Sequence, residues 1–169
     1  MKNILLTVLL VSSTFVSAQQ YLTREARLYF DAGSPLEDIE AFTESGSAVY
    51  DATTGKIGVQ VLMTSFQFKR ALMQEHFNEN YVESEKFPKA SFKGYYGEGN
   101  VAGGLTIHGV TKEITVPARL DQEDGNFVLV TSFDIMLADY EVKIPSAVAN
   151  KISKTASIQV QATLKKFSK

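Results

Sequence analysis

The stretch His76–Val116 reads HFNENYVESEKFPKASFKGYYGEGNVAGGLTIHGVTKEITV. Its start continues an aromatic helix pattern. Three runs of alternating apolar and polar residues follow, separated by small turns around Gly97–Asn100 and around Gly109. Alternation of period two marks strands with one buried face, and Gly-containing breaks mark hairpins. No nucleophile, metal cluster or phosphate loop stands out within it. The stretch has the pattern of the wall and mouth of a barrel, which points away from catalysis and toward holding something apolar.

Reading outward, Arg70–Val82 is predicted as a helix. Leu72, Met73, His76, Phe77 and Tyr81 recur at helical spacing on one face, while Gln74, Glu75, Asn78 and Glu79 fall away from it. Such a helix suits a lid on one end of a sheet or barrel. Before it lie three expected strands, Leu22–Asp31, Gly46–Thr53 and Lys56–Phe66, with a helical turn expected over Pro35–Phe42. In the third strand Ile57, Val59, Val61 and Met63 share a face. After the helix come Ala90–Tyr96, Val101–His108, Lys112–Leu120, Asn126–Leu137 and Thr155–Leu164. Val101, Leu105 and Ile107 share one face. So do Ile114, Val116, Ala118 and Leu120, and so do Phe127, Leu129, Thr131, Phe133 and Ile135. Lys143–Ile152 reads as a connection with a short helix after Pro145. Eight strands joined by short turns imply an antiparallel meander, and closure removes its exposed edges. The expected fold is all-β: an eight-stranded antiparallel barrel with one short α-helix packed at one end. A barrel of this size is either filled by side chains or holds one small ligand.

Residues 1–18 read as a secretory signal peptide. Lys2 gives a positive start, Ile4 to Val11 is an apolar run, and Val16-Ser17-Ala18 precedes an expected cleavage at Gln19. The run is shorter than the roughly 20 apolar residues a spanning helix needs. Residues 19–169 then form one domain, which is expected to be exported. Without Lys2 there remain 16 Lys and Arg against 19 Asp and Glu, so no basic face invites nucleic acid. With no cysteine, the domain relies on its own core rather than on disulfides.

Little in the chain suggests chemistry. There is no Gly-x-Ser-x-Gly, and only His76 and His108 could act as imidazole bases. His76 is expected as a core or rim histidine on the apolar helix face. His108 is expected outside the barrel near a turn, in a structural or solvent role. Glu75, His76 and Glu79 match a metal-ligand spacing poorly, because His76 is turned about 100° from its neighbour Glu75 on the helix. No cofactor is expected. Aromatic residues are plentiful, 11 Phe and 7 Tyr without Trp, and an apolar slot with few polar contacts suits a hydrocarbon chain.

Three segments resemble the YceI-like family: Phe77–Ser84, Lys86–Phe92 and Gly104–Thr111, with Ser132-Phe133 and Tyr140–Pro145 as later echoes. The resemblance implies a lipocalin-like barrel, exported to the periplasm, that binds a polyisoprenoid or similar amphiphile, often as a homodimer and without catalysis. The chain is a compact version, which bears on the size of any cavity. The candidate ligand-binding residues are Val59, Val61, Leu105, Ile107, Val116, Phe133 and Ile135 from the strands. The helix adds Phe77 and Tyr81 near the mouth. The expected partner is a hydrophobic or amphiphilic small molecule, an isoprenoid lipid or quinone. The rival readings are a solidly packed interaction protein without a ligand and, behind it, a hydrolase using His76 or His108.

Overall fold

The computed structural model describes residues 19–167, so the signal-peptide reading of residues 1–18 lies outside the described residues. Nine strands form, in chain order β1 (Gln20–Asp31), β2 (Glu40–Asp51), β3 (Lys56–Leu62), β4 (Gln67–Phe68), β5 (Lys89–Gly97), β6 (Asn100–Ile107), β7 (Val110–Glu123), β8 (Asn126–Met136) and β9 (Thr155–Lys166). Eight of them close a barrel in the order β1-β9-β8-β7-β6-β5-β3-β2, with β2 returning to β1. The two-residue β4 is an appendage on the start of β2, pairing Ala41 with Phe68. Every pairing is antiparallel.

The hairpins follow from local chemistry. His108 and Gly109 both have positive φ, 50° and 77°, the conformation of the two-residue turn that matches strand twist. A side chain at Gly109 would also collide with the Phe87 ring, its Cβ 2.6 Å from Cε1. The Glu98-Gly99 and Asp124-Gly125 turns repeat the pattern.

Three sequence expectations are corrected. No helical turn spans Pro35–Phe42. Ser34–Glu37 is a tight turn closed by reciprocal backbone hydrogen bonds, and β2 starts at Glu40, six residues before the expected strand. Ala41 and Thr43 point inward there while Phe42 and Glu44 point out, so the alternation is real but is carried by small residues. A register shift opposite Ala26 then separates this half of β2 from the next. The third strand ends at Leu62, because Met63–Ser65 coils into a single tight turn, fixed by Ser65 Oγ donating to Leu62 O at 2.7 Å. The helix is shorter than expected: α1 covers Ala71–His76 and passes into a wider π-turn over Phe77–Tyr81. The short helix after Pro145 forms at Ser146–Val148.

The barrel has two ends. The helix end gathers α1, the π-turn, the β6–β7 hairpin and the β8–β9 connection. The other end gathers the β7–β8 hairpin, the start of β1 and the end of β9.

Candidate functional site

Inward side chains at the helix end line a cavity of about 170 Å³. Its wall comes from successive inward positions: Ile57, Val59, Val61 and Met63 along β3 and its exit, Val101, Leu105 and Ile107 on β6, Ile114 and Val116 on β7, and Leu129, Thr131, Phe133 and Ile135 on β8. This is period two read directly as geometry. The surface is almost wholly apolar. Thr131 contributes the one wall hydroxyl on β8, and it donates to Pro117 O at 2.7 Å instead of facing the lumen.

The lid is an aromatic cluster. Phe77, from the π-turn, stacks on Phe30 of β1 with centroids 5.2 Å apart and meets Phe68 at 5.0 Å and Phe66 at 6.0 Å. Met73 and Tyr81 face the same cavity. Burial raises the Tyr81 phenol above its ordinary pKa, and the nearby Glu37 carboxylate adds to the rise. Glu37 itself is held below the usual carboxylate range, chiefly by its hydrogen bond to Arg70, with Lys151 nearby at 3.5 Å. These ion pairs tie the β1–β2 turn to the start of α1 and to the β8–β9 connection across the rim.

The opposite end is solid. Tyr21 meets Phe127 edge-on at 4.7 Å, and Tyr50 meets Phe127 at 5.0 Å. Leu164 and Ala162 are fully buried in the same end, and Tyr96 and Leu120 pack against this core. None of these residues lines the cavity. The boundary is the layer of Ile57, Val101, Val116 and Leu129, where Leu129 is 1% exposed. The choice between a filled and a hollow barrel therefore divides along the axis: hollow beneath the helix, filled beyond Leu129.

The structure brings Val59, Val61, Phe77, Tyr81, Leu105, Ile107, Val116, Phe133 and Ile135 together around this one cavity. Sequence reasoning missed the contribution of Val142, Ile144 and Ile152, which also line it. They lie in the β8–β9 connection, where neither period two nor period 3.6 is sustained. Their only signal was apolar character in an otherwise polar loop.

One histidine differs from expectation and the other takes the structural one of its two expected roles. His76 is exposed, as is Leu72 at 62%. The helix is too short, and seated too narrowly on Phe77, to bury the whole apolar face. His108 lies outside the lumen, as its alternation implied, but is not solvated: its side chain is 10% exposed. Its Nδ1 lies 3.1 Å from Tyr140 O, its Nε2 lies 3.0 Å from Glu83 Oε2, and Phe87 packs on the ring at 4.5 Å. Both ring nitrogens are committed to joining the β6–β7 hairpin to the segments on either side of it.

A family described as YceI-like domain matches residues 27–164, from β1 to β9. The chain belongs to the YceI-like family. A protein of Vibrio parahaemolyticus, UPF0312 protein VPA0850, is 29% identical over 120 residues, 60% of this chain; the chain spans 62% of that relative's length. Among solved structures, a polyisoprenoid binding domain from Saccharophagus degradans superposes with a TM-score of 0.76 at 13% identity, covering 89% of this chain and 100% of that one. Burkholderia cenocepacia BcnA superposes with a TM-score of 0.71 at 16% identity, covering 82% and 95%. At these identities the structural likeness establishes a shared YceI-like barrel.

Proposed function

We propose that this protein is an exported, non-catalytic carrier that holds the hydrocarbon tail of an isoprenoid lipid, or of a quinone-like amphiphile, in the cavity beneath its helix. The observation that carries this reading is a lumen of about 170 Å³ with almost no polar surface. An apolar cavity of roughly 150 Å³ stays dry and accepts apolar guests. Transfer of each tail methylene from water contributes about 0.8 kcal/mol, so a tail binds well without a charged anchor. The printed description of the Saccharophagus degradans domain as polyisoprenoid binding supports the ligand class. Val59, Val61, Leu105, Ile107, Val116, Phe133 and Ile135 would grip the tail. Phe77 and Tyr81 would close over it, with the Tyr81 hydroxyl near the polar head.

The geometry argues against the rivals. A solid interaction protein would not leave the helix half hollow. A hydrolase would need an imidazole at the cavity, but His76 is exposed and His108 is engaged outside the lumen. The test is organic-solvent extraction of protein purified from its native envelope, read by mass spectrometry, together with uptake of added prenyl lipid. A stoichiometric isoprenoid or quinone is expected. A clean extract with no uptake overturns the reading. Phe133→Asp places a carboxylate in the dry wall and should abolish uptake; a folded variant that still binds normally would show that the tail lies elsewhere.

A further inference from the structure

The filled half of the barrel has a geometric consequence for any tail that enters the hollow half. From Leu137 at the helix end to Leu129 at the floor, β8 and its exit advance by eight residues, and both ends of that span line the cavity. At about 3.3 Å per residue and a strand tilt of about 40°, the hollow depth is roughly 20 Å. On β6 the lining positions run from Val101 to Ile107, and the same arithmetic gives roughly 15 Å. Below this depth the axis is blocked by rings. Phe127 is one inward position beyond Leu129 on β8, and it is clasped edge-on by Tyr21 from β1 and by Tyr50 from β2. Leu164 closes the space behind it, paired with Phe127 across β8 and β9.

We infer that Leu129, backed by Phe127 in its clasp of Tyr21 and Tyr50, is the stop that sets the length of tail this protein accepts. The inference rests on the tail-binding reading above and refines its ligand class. The favoured guest is a short prenyl chain whose tail ends at this floor, and not a long polyprenyl. Additional units have no room past Leu129 and must stay outside the lid, where they gain nothing from the lumen. Phe127 touches the core and not the wall of the cavity, so it acts through Leu129 on the length of the guest and not on its general apolar character.

The experiment measures binding of geraniol, farnesol, geranylgeraniol and solanesol to the full-length mature protein, by displacement of a fluorescent apolar probe and by native mass spectrometry. Affinity should rise steeply, by up to about a thousandfold for each five-carbon unit that enters the lumen, and then level off before solanesol. In Phe127→Ala the plateau should move to a longer tail, with geraniol affinity little changed. Phe127→Leu, which keeps the end apolar and better filled, guards against collapse of the fold and should move the plateau by less. Val61→Ala, in the wall above the stop, should weaken all tails that reach it without moving the plateau. Thermal melting confirms that each variant is folded. If no prenyl alcohol binds, the tail-binding reading falls. If tails bind but affinity keeps rising through solanesol, or the plateau is unmoved in both Phe127 variants, the carrier reading survives and the stop is overturned.

Discussion

At the scale of single residues, His108 shows how a turn residue can hold two other segments. Hydrogen bonds to Tyr140 O and Glu83 occupy its ring, and the Gly109 turn holds it at positive φ. Glu83 in turn is held below the ordinary carboxylate range, first by its hydrogen bond to Lys86 and then by His108. A carboxyl whose folded pKa is depressed adds stability that is fully present above its unfolded pKa and lost as pH falls through the folded value. Below about pH 4.5, the ordinary Glu value, the protein should therefore lose melting temperature progressively. Glu83→Gln should melt lower at neutral pH and show a shallower acid slope. An acid slope identical to the parent's would mean the pair contributes nothing. His108→Ala removes the ring that joins Tyr140 O to Glu83, and a lower midpoint is expected in denaturant unfolding. The sequence disclosed the turn through Gly109 but not the burial of the histidine. Strand alternation reports only inside and outside, and His108 is buried by neighbours that arrive from Glu83 and Tyr140, distant in sequence.

At the scale of elements, the lid is a short helix with one firm anchor. Of the face that periodicity marked as apolar, Met73, Phe77 and Tyr81 reach the cavity while Leu72 and His76 remain in water. Helical periodicity assumes a regular helix, and the π-turn at Phe77–Tyr81 breaks that assumption by inserting an extra residue per turn. The strands were far more legible, because a period of two survives changes in length. Where small residues carried the alternation, as at Ala41 and Thr43, the strand was read too short. Phe77→Ala should remove the stacking on Phe30 and the contacts with Phe66 and Phe68. A loss of about 3 to 5 kcal/mol is expected for truncating a buried Phe, with apolar-probe binding weakened as well. A variant with parental stability would show that the lid is not seated through this ring.

At the scale of the whole molecule, the division into a filled and a hollow half sets a gradient of rigidity. The filled end joins buried aromatic rings to the unbroken ladder between β8 and β9. The helix end consists of a short helix and loops over an unfilled space. Local opening is cheapest where buried contacts are fewest. Hydrogen exchange of the ligand-free protein should therefore be fastest in Ala71–Tyr81 and the β8–β9 connection, and slowest around Leu129 and Leu164. Loading with farnesol should slow the first group selectively. Uniform exchange across the barrel would contradict the gradient. Seven candidate wall residues are legible from strand alternation, and Phe77 and Tyr81 from helical spacing, whereas the boundary at Leu129 is not. A filled core and a hollow one share the same inward apolar pattern, and only the meeting of Tyr21, Tyr50 and Phe127 in space separates them.

The closing seam of the barrel runs between β1 and β9, the first and last strands described. The ladder that removes the final open edge therefore joins residues separated by nearly the whole domain. While the last strand is still being synthesised, β1 has no partner on that side and the lumen has no complete wall. Such late, long-range closure folds slowly. The container therefore takes shape only after its final strand has arrived.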